Sequence, residues 1–102
     1  MEPKILALAL NSALPFDREL LYQGAHHDFN LIEAKPGFHK MPHPFEAGDS
    51  FMLVLKGSMD LIVDEKTYPL AAGQVAFIPK GATRGFTAGP EGFTMFAAHL
   101  KD

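Results

Sequence analysis

The chain has 102 residues, the size of one domain with a single hydrophobic core. Hydrophobic residues make up 47% and charged residues 21%, an ordinary balance for a globular protein. There is no cysteine, which excludes disulfide bonds and thiolate sites. The net charge is −3 and the Lys and Arg residues are scattered without a basic stripe, which argues against nucleic acid as a partner.

An apolar run lies near the N-terminus, at residues 5–10. It follows Glu2 and Lys4, and it is too short to span a membrane and a poor match to a secretion signal. We therefore interpret this run as a first strand. We expect a cytoplasmic protein with no membrane partner.

The rest of the chain alternates between short apolar runs and turn residues, a pattern typical of an all-β sandwich or barrel. Residues 14–23 alone leave room for a short helical turn. The segment Lys56-Gly57-Ser58 is interpreted as a hairpin turn. The predicted strands cover residues 29–35, 51–56, 59–63, 67–70, 75–78, 84–88 and 93–100. The other predicted turns lie at 36–37, 71–73, 79–81 and 88–92.

The strand around residues 50–56 has two apolar faces, because side chains alternate along a strand. One face carries Ser50, Met52 and Val54, and the other Phe51, Leu53 and Leu55. Both faces should therefore be shielded from solvent by other parts of the protein or by a partner. A homodimer would supply this shielding, and the alternative is that the N-terminal segment covers the second face.

Two motifs link the chain to a known family. The second is the clearer: Gly73, five residues, Pro79-Lys80-Gly81, two residues, then Arg84. Gly73 and Gly81 allow tight turns and Pro79 ends a strand between them. The segment resembles the second motif of the cupin superfamily, with every spacer intact and Arg84 in place of a His.

The first cupin motif is matched from Gly37 to Gly57, again by spacing rather than by chemistry. His43 stands at the first His position, Phe45 at the second, and Ser50 at the Glu position. The resemblance implies a cupin, RmlC-like jelly-roll β-barrel, also called a double-stranded β-helix. It would be a single domain over residues 1–102, with 37–88 carrying both motifs and 1–28 an N-terminal arm or edge strands.

The resemblance also implies where a metal would lie, since cupins hold a divalent ion with three His and one Glu. His43 alone survives of that set, and Arg84 would repel a cation. A catalytic metal site needs about three protein ligands, so we expect no cofactor here. The alternative is a divalent metal held by rearranged ligands from His39, His43, Glu46 and His99. His39 and His43 would lie about 13 Å apart in an extended strand, which one ion cannot bridge.

Arg84 is the most informative residue, because the family register puts its side chain inside the barrel. A buried cation needs a partner. One interpretation is an internal ion pair with Glu46 or Asp49, and the other is an anionic ligand held by the guanidinium fork. The predicted ligand-binding lining consists of His43, Phe45, Ser50, Met52, Phe77, Arg84 and Phe86. The same side chains could instead simply fill a small barrel.

The sequence predicts a metal-free protein that binds a small anionic or sugar-derived molecule in the barrel. The main alternative is a metal-dependent cupin enzyme of dioxygenase or isomerase type. A third hypothesis is a metal-free enzyme with His43 as general acid or base and Arg84 orienting the substrate. A fourth is a sensory or stability module without catalysis. No catalytic residue is assigned, and the sequence does not decide whether the protein is an enzyme.

Overall fold

The computed structural model describes residues 1–9 and 12–102. These residues form strands and no helix, so nothing in the described chain could cross a membrane as a helix. The all-β prediction is confirmed. The seven strands are β1 Phe16–Gln23, β2 His27–Ala34, β3 His39–Pro44, β4 Gly48–Val63, β5 Lys66–Ala71, β6 Val75–Ile78 and β7 Thr83–Lys101.

Two long strands, β4 and β7, tie the two halves of the barrel together. Residues 48–57 of β4 pair with residues 93–101 of β7, and residues 59–63 of β4 pair with residues 84–88 of β7. Both strands therefore contribute to both halves. All pairings are antiparallel.

The shorter strands extend each half. In the first half β2 pairs with the end of β7, β1 pairs with β2, and β6 pairs with the start of β4. In the second half β3 pairs with the start of β7 and β5 with the end of β4. This arrangement is the jelly roll that the motifs predicted.

The predicted hairpin at Lys56-Gly57-Ser58 is wrong. Strand β4 continues through it, with register shifts on either side of Gly57, whose φ is +74°. The hairpin lies further on, at Asp64-Glu65, where φ is positive at both residues, as a two-residue hairpin loop requires. Residues 88–92 likewise form part of β7 rather than a turn. Bulges and turns both favour glycine with positive φ, so local sequence does not separate them.

The predicted first strand at residues 5–10 is also wrong. Residues 5–9 carry no strand, and residue 10 lies outside the described residues. The arm instead contacts β1 and β2: Lys4 Nζ donates to the Leu21 carbonyl at 2.7 Å, and the Ser12 amide donates to Glu33 Oε1 at 3.0 Å. The first strand is β1, in the segment where a short helical turn had seemed possible.

The core lies between the two halves, and alternation along β4 sets what enters it. Ser50, Met52 and Val54 point inward and are at most 8% exposed. Val54 pairs with Met95, which pairs with Ile32, so this row continues across three strands. The alternate residues face outward, and Phe51 stacks there on Phe77.

The bulge in β4 supplies a test of the fold. Gly57→Ala should lower the free energy of unfolding by about 3 kcal/mol, because positive φ and a clash add. The new Cβ would overlap the Gly92 carbonyl oxygen. Gly73→Ala is the matched control: φ is +88°, but no atom lies within 4 Å, so we expect a loss of about 1–2 kcal/mol. Urea unfolding measures both. Equal losses would contradict the described packing of Gly57 against β7.

Candidate functional site

A cavity of about 200 Å³ opens into the barrel between strands β1, β2, β3, β4 and β7. Its floor is apolar, and its rim is polar apart from the ring of Phe45. The floor consists of Ile32, Met52, Phe86, Met95 and Ala97, and the rim of Arg18, Lys40, His43, Phe45, Arg84 and His99. Both family motifs contribute to this cavity, as their register predicted.

Arg84 is the central side chain of the rim and is 6% exposed. Its Nη1 donates to Ser50 Oγ at 2.8 Å, and its Nη2 lies 3.1 Å from His99 Nε2. The guanidinium also lies over the Phe45 ring, 4.7 Å from the ring centre. Arg84 therefore contacts both Phe45 and Ser50, and these three residues stand at the positions of three family ligands.

The expected ion pair of Arg84 with Glu46 or Asp49 does not form. No ion pair within residues 1–9 and 12–102 includes Arg84. Asp49 is exposed because it alternates with the buried Ser50, and its Oδ1 accepts from the Lys80 amide at 2.8 Å. Glu46 is exposed as well.

His99 takes the place of that carboxylate as a partner of Arg84. A guanidinium only donates hydrogen bonds, so His99 Nε2 must accept through its lone pair. The proton of the neutral ring is then on Nδ1, which lies 2.7 Å from Asp28 Oδ1. The ring also stacks on Phe45, with centroids 4.5 Å apart. His99 is thus fixed in one tautomer by a partner on each side.

Asp28 anchors the far end of this chain of contacts. Asn30 Nδ2 donates to its Oδ1 at 2.7 Å, and Lys101 Nζ lies 3.0 Å from its Oδ2. Burial alone would raise the pKa of Asp28, but the hydrogen bonds from Lys101, His99 and Asn30 outweigh it and lower that pKa. Sequence reasoning missed Asp28 and Asn30. The available signal was two polar residues in register with Ile32 and Ala34 on the inner face of β2.

The charges around the cavity are unbalanced. Arg18, Lys40 and Arg84 line it and no carboxylate does, although the whole chain carries a net charge of −3. Burial lowers the pKa of Arg84, but a guanidinium stays charged at any physiological pH. Its two contacts use two of five N–H groups, so three remain without a partner among the described residues. The charged side chains that line the cavity are therefore all positive.

The predicted lining is largely assembled by the structure. His43, Phe45, Met52, Arg84 and Phe86 border the cavity, and Ser50 lies beneath Arg84. The prediction that Phe77 faces this cavity is wrong. Phe77 is 76% exposed and pairs with Phe51 on the outer face, because Ile78 takes the inward position in β6.

The donors present do not fit the metal that the cupin resemblance implies. No group of three or more His, Asp or Glu in the described chain is arranged to hold an ion. His39 bonds Thr87 Oγ1 at 2.8 Å, and His99 is occupied by Arg84 and Asp28. His43 is exposed, with its Nδ1 3.4 Å from the Met41 carbonyl. The rearranged set of His39, His43, Glu46 and His99 is not brought together.

The strand arrangement and the internal cavity are those of a small jelly-roll β-barrel domain, and residues from both sequence motifs line that cavity. The family model described as "Cupin domain" matches residues 30–97, and the chain belongs to this family. No curated protein matches at a significant level.

Solved structures agree on the fold. The Cnp3 cupin domain of Schizosaccharomyces pombe superposes with a TM-score of 0.84 at 18% identity, covering 92% of this chain and 70% of that one. A cupin superfamily protein of Desulfitobacterium hafniense gives 0.80 at 19% identity, covering 93% and 84%. A cupin 2 conserved barrel domain protein of Leptotrichia buccalis gives 0.83 at 21% identity, covering 92% and 45%.

The lowered pKa of Asp28 predicts a pH dependence of stability. A carboxyl with a lowered folded-state pKa stabilises the fold above its unfolded value, near 3.8, and loses that contribution as pH falls through the folded value. Asp28→Asn should cost about 1–3 kcal/mol at pH 7, and it should lose less stability than wild type between pH 5 and 3. Denaturant unfolding across this range measures both. Asp60→Asn, at an exposed position on β4, is the control. Equal acid sensitivity of wild type and Asp28→Asn would contradict the assignment.

Proposed function

We propose that this cupin binds a small organic anion in its barrel, with Arg84 as the anchor for the acid group. The observation that carries the proposal is a buried arginine at a cavity with no carboxylate partner among the described residues. Ser50 and His99 give it neutral acceptors only. A carboxylate or phosphate would add the missing negative charge through a charge-assisted bond.

The cavity suggests what the rest of the ligand looks like. Its volume of about 200 Å³ corresponds to roughly seven waters at about 30 Å³ each, so the ligand is small. Ile32, Met52 and Met95 offer no hydrogen bonds from the floor. This supports an acid with an apolar body over the sugar-derived molecule that the sequence left open, because sugar hydroxyls would lack partners there.

Replacing the anchor separates binding from stability. Arg84→Met should abolish the thermal shift given by benzoate, butanoate or phosphate, or weaken the affinity at least about tenfold. Its stability should fall by no more than about 1–3 kcal/mol, because Ser50 and His99 each lose a hydrogen-bond partner. Lys66→Met, an exposed site on β5, is the control and should keep wild-type affinity. Undiminished binding by Arg84→Met, or no binding by wild type, would contradict the proposal.

A metal-free state is part of this proposal, and elemental analysis of purified protein tests it. We expect far less than one transition metal ion per chain, since Arg84 stands where the family motif has a ligand. Near-stoichiometric iron, manganese, nickel or zinc would favour the metal-dependent alternative. The metal-free enzyme with His43 as acid or base gains no support, since the one side-chain hydrogen bond of His43 among the described residues is with a backbone carbonyl. The cytoplasmic location stays a prediction.

We also propose a homodimer through the outer aromatic surface, defined here by Phe51, Phe77 and Val75. Phe77 is 76% and Val75 43% exposed, beside the partly buried Phe51. A second copy would cover this apolar surface.

Phe77→Asp should convert a dimer to a monomer in sedimentation or light scattering, whereas Tyr68→Asp, exposed on β5, should not. A wild-type monomer at high micromolar concentration would contradict the dimer.

A further inference from the structure

We propose that His99 is a second anion-binding group of this cavity and that it binds the ligand in its protonated form, so that one acid anion and one proton are bound together. The inference rests on the proposed function, because it specifies how the same cavity holds its anion. It adds a residue that the sequence analysis did not place among the ligand-binding groups.

The contact between Arg84 and His99 carries the argument. Arg84 Nη2 lies 3.1 Å from His99 Nε2, and this bond needs the lone pair of Nε2. A proton on Nε2 would occupy that lone pair and turn an acceptor into a donor. Protonation of His99 and its bond with Arg84 therefore exclude each other. Once protonated, the pair presents two charged N–H donors side by side at the cavity edge.

An anion is what makes the protonated arrangement favourable. Without one, the imidazolium and the guanidinium would repel each other at hydrogen-bond distance. An acid group between them would accept from both and cancel that repulsion. By linkage, the factor by which the proton strengthens anion binding equals the factor by which the anion strengthens proton binding.

Asp28 decides which nitrogen takes the proton. Its Oδ1 lies 2.7 Å from Nδ1 and accepts the Nδ1 proton, so the site left for a second proton is Nε2, which faces Arg84 and the cavity. Its lowered pKa keeps it ionised beside the imidazolium. Asp28 is therefore a positioning residue that acts through His99.

The other charged groups near His99 come from several strands. Arg18 on β1, Lys40 and His43 on β3, and Arg84 on β7 share the cavity with it. Lys101 on β7 and Arg18 share with it a neighbouring polar cavity of about 250 Å³ that also includes Asp28. From β4 the neutral Ser50 is its cross-strand neighbour. In the empty site Nε2 of His99 accepts from Arg84, so a proton on Nε2 would enter together with the anion.

Calorimetric titration with benzoate between pH 5.5 and 8 tests the coupling, since benzoate is ionised throughout. For wild type we expect the dissociation constant to rise with pH, by up to about tenfold per pH unit where one proton is taken up with each anion. Repeating the titration in buffers of different ionisation enthalpy should count about one proton taken up per benzoate. His99→Gln should bind more weakly and without pH dependence. Asp28→Asn should move the pH dependence to lower pH.

Two further histidine variants locate the proton. His39→Gln, outside the cavity, should behave as wild type. His43→Gln should keep the pH dependence, whatever its effect on affinity. If His43→Gln loses the pH dependence and His99→Gln keeps it, the proton goes to His43 and the inference is wrong.

Failure of the inference and failure of the proposed function give different results. Binding of benzoate with one pH-independent dissociation constant would overturn the inference and leave the anion site in place. Absence of binding at any pH, for benzoate, butanoate and phosphate alike, would overturn both. Nitrogen-15 NMR of the ligand-free protein gives a readout that needs no ligand and no variant. We expect the Nδ1–H tautomer of His99, and an Nε2–H tautomer would overturn the inference directly.

Discussion

The structure depends on one constraint at its centre: a permanent positive charge is held at the edge of an apolar barrel. The guanidinium of Arg84 cannot lose its proton, so its surroundings have to supply acceptors. The fold does so with a hydroxyl, an imidazole and an aromatic face, at Ser50, His99 and Phe45. None of these groups carries a negative charge. The site is hydrogen-bonded but not charge-balanced, which is the physical basis of the proposed anion binding.

The strand register explains why these side chains meet. Arg84 and His99 lie on the two halves of β7, and Ser50 pairs directly with His99 from β4. The partner that fixes the tautomer, Asp28, is the cross-strand neighbour of His99 on β2. The network therefore spans three adjacent strands of one half and reaches Arg84 in the other. The residues at the family's ligand positions, Phe45, Ser50 and Arg84, therefore form one cluster around the guanidinium.

Sequence reasoning reached an all-β fold from the glycine and proline residues that punctuate the chain. The intact spacing from Gly73 to Arg84 carried the cupin resemblance, and that resemblance implied the jelly roll and an arginine pointing into the barrel. The predicted hairpin at Gly57 was wrong because a glycine with positive φ occurs in β-bulges as well as in turns, and here it lies in a bulge of β4. Sequence reasoning also failed for Phe77, whose face depends on strand pairing. The Asp28–His99 contact, 71 residues apart in sequence, follows from the pairing of β2 with β7, which no local pattern reveals.

The most direct test of this account is a crystal structure of the protein grown with benzoate at neutral or slightly acidic pH. The account predicts the carboxylate within hydrogen-bond distance of Arg84 and its ring over Met52 and Met95. It would be contradicted by a metal ion held by His43 and companion ligands, with the Arg84 guanidinium turned outward into solvent.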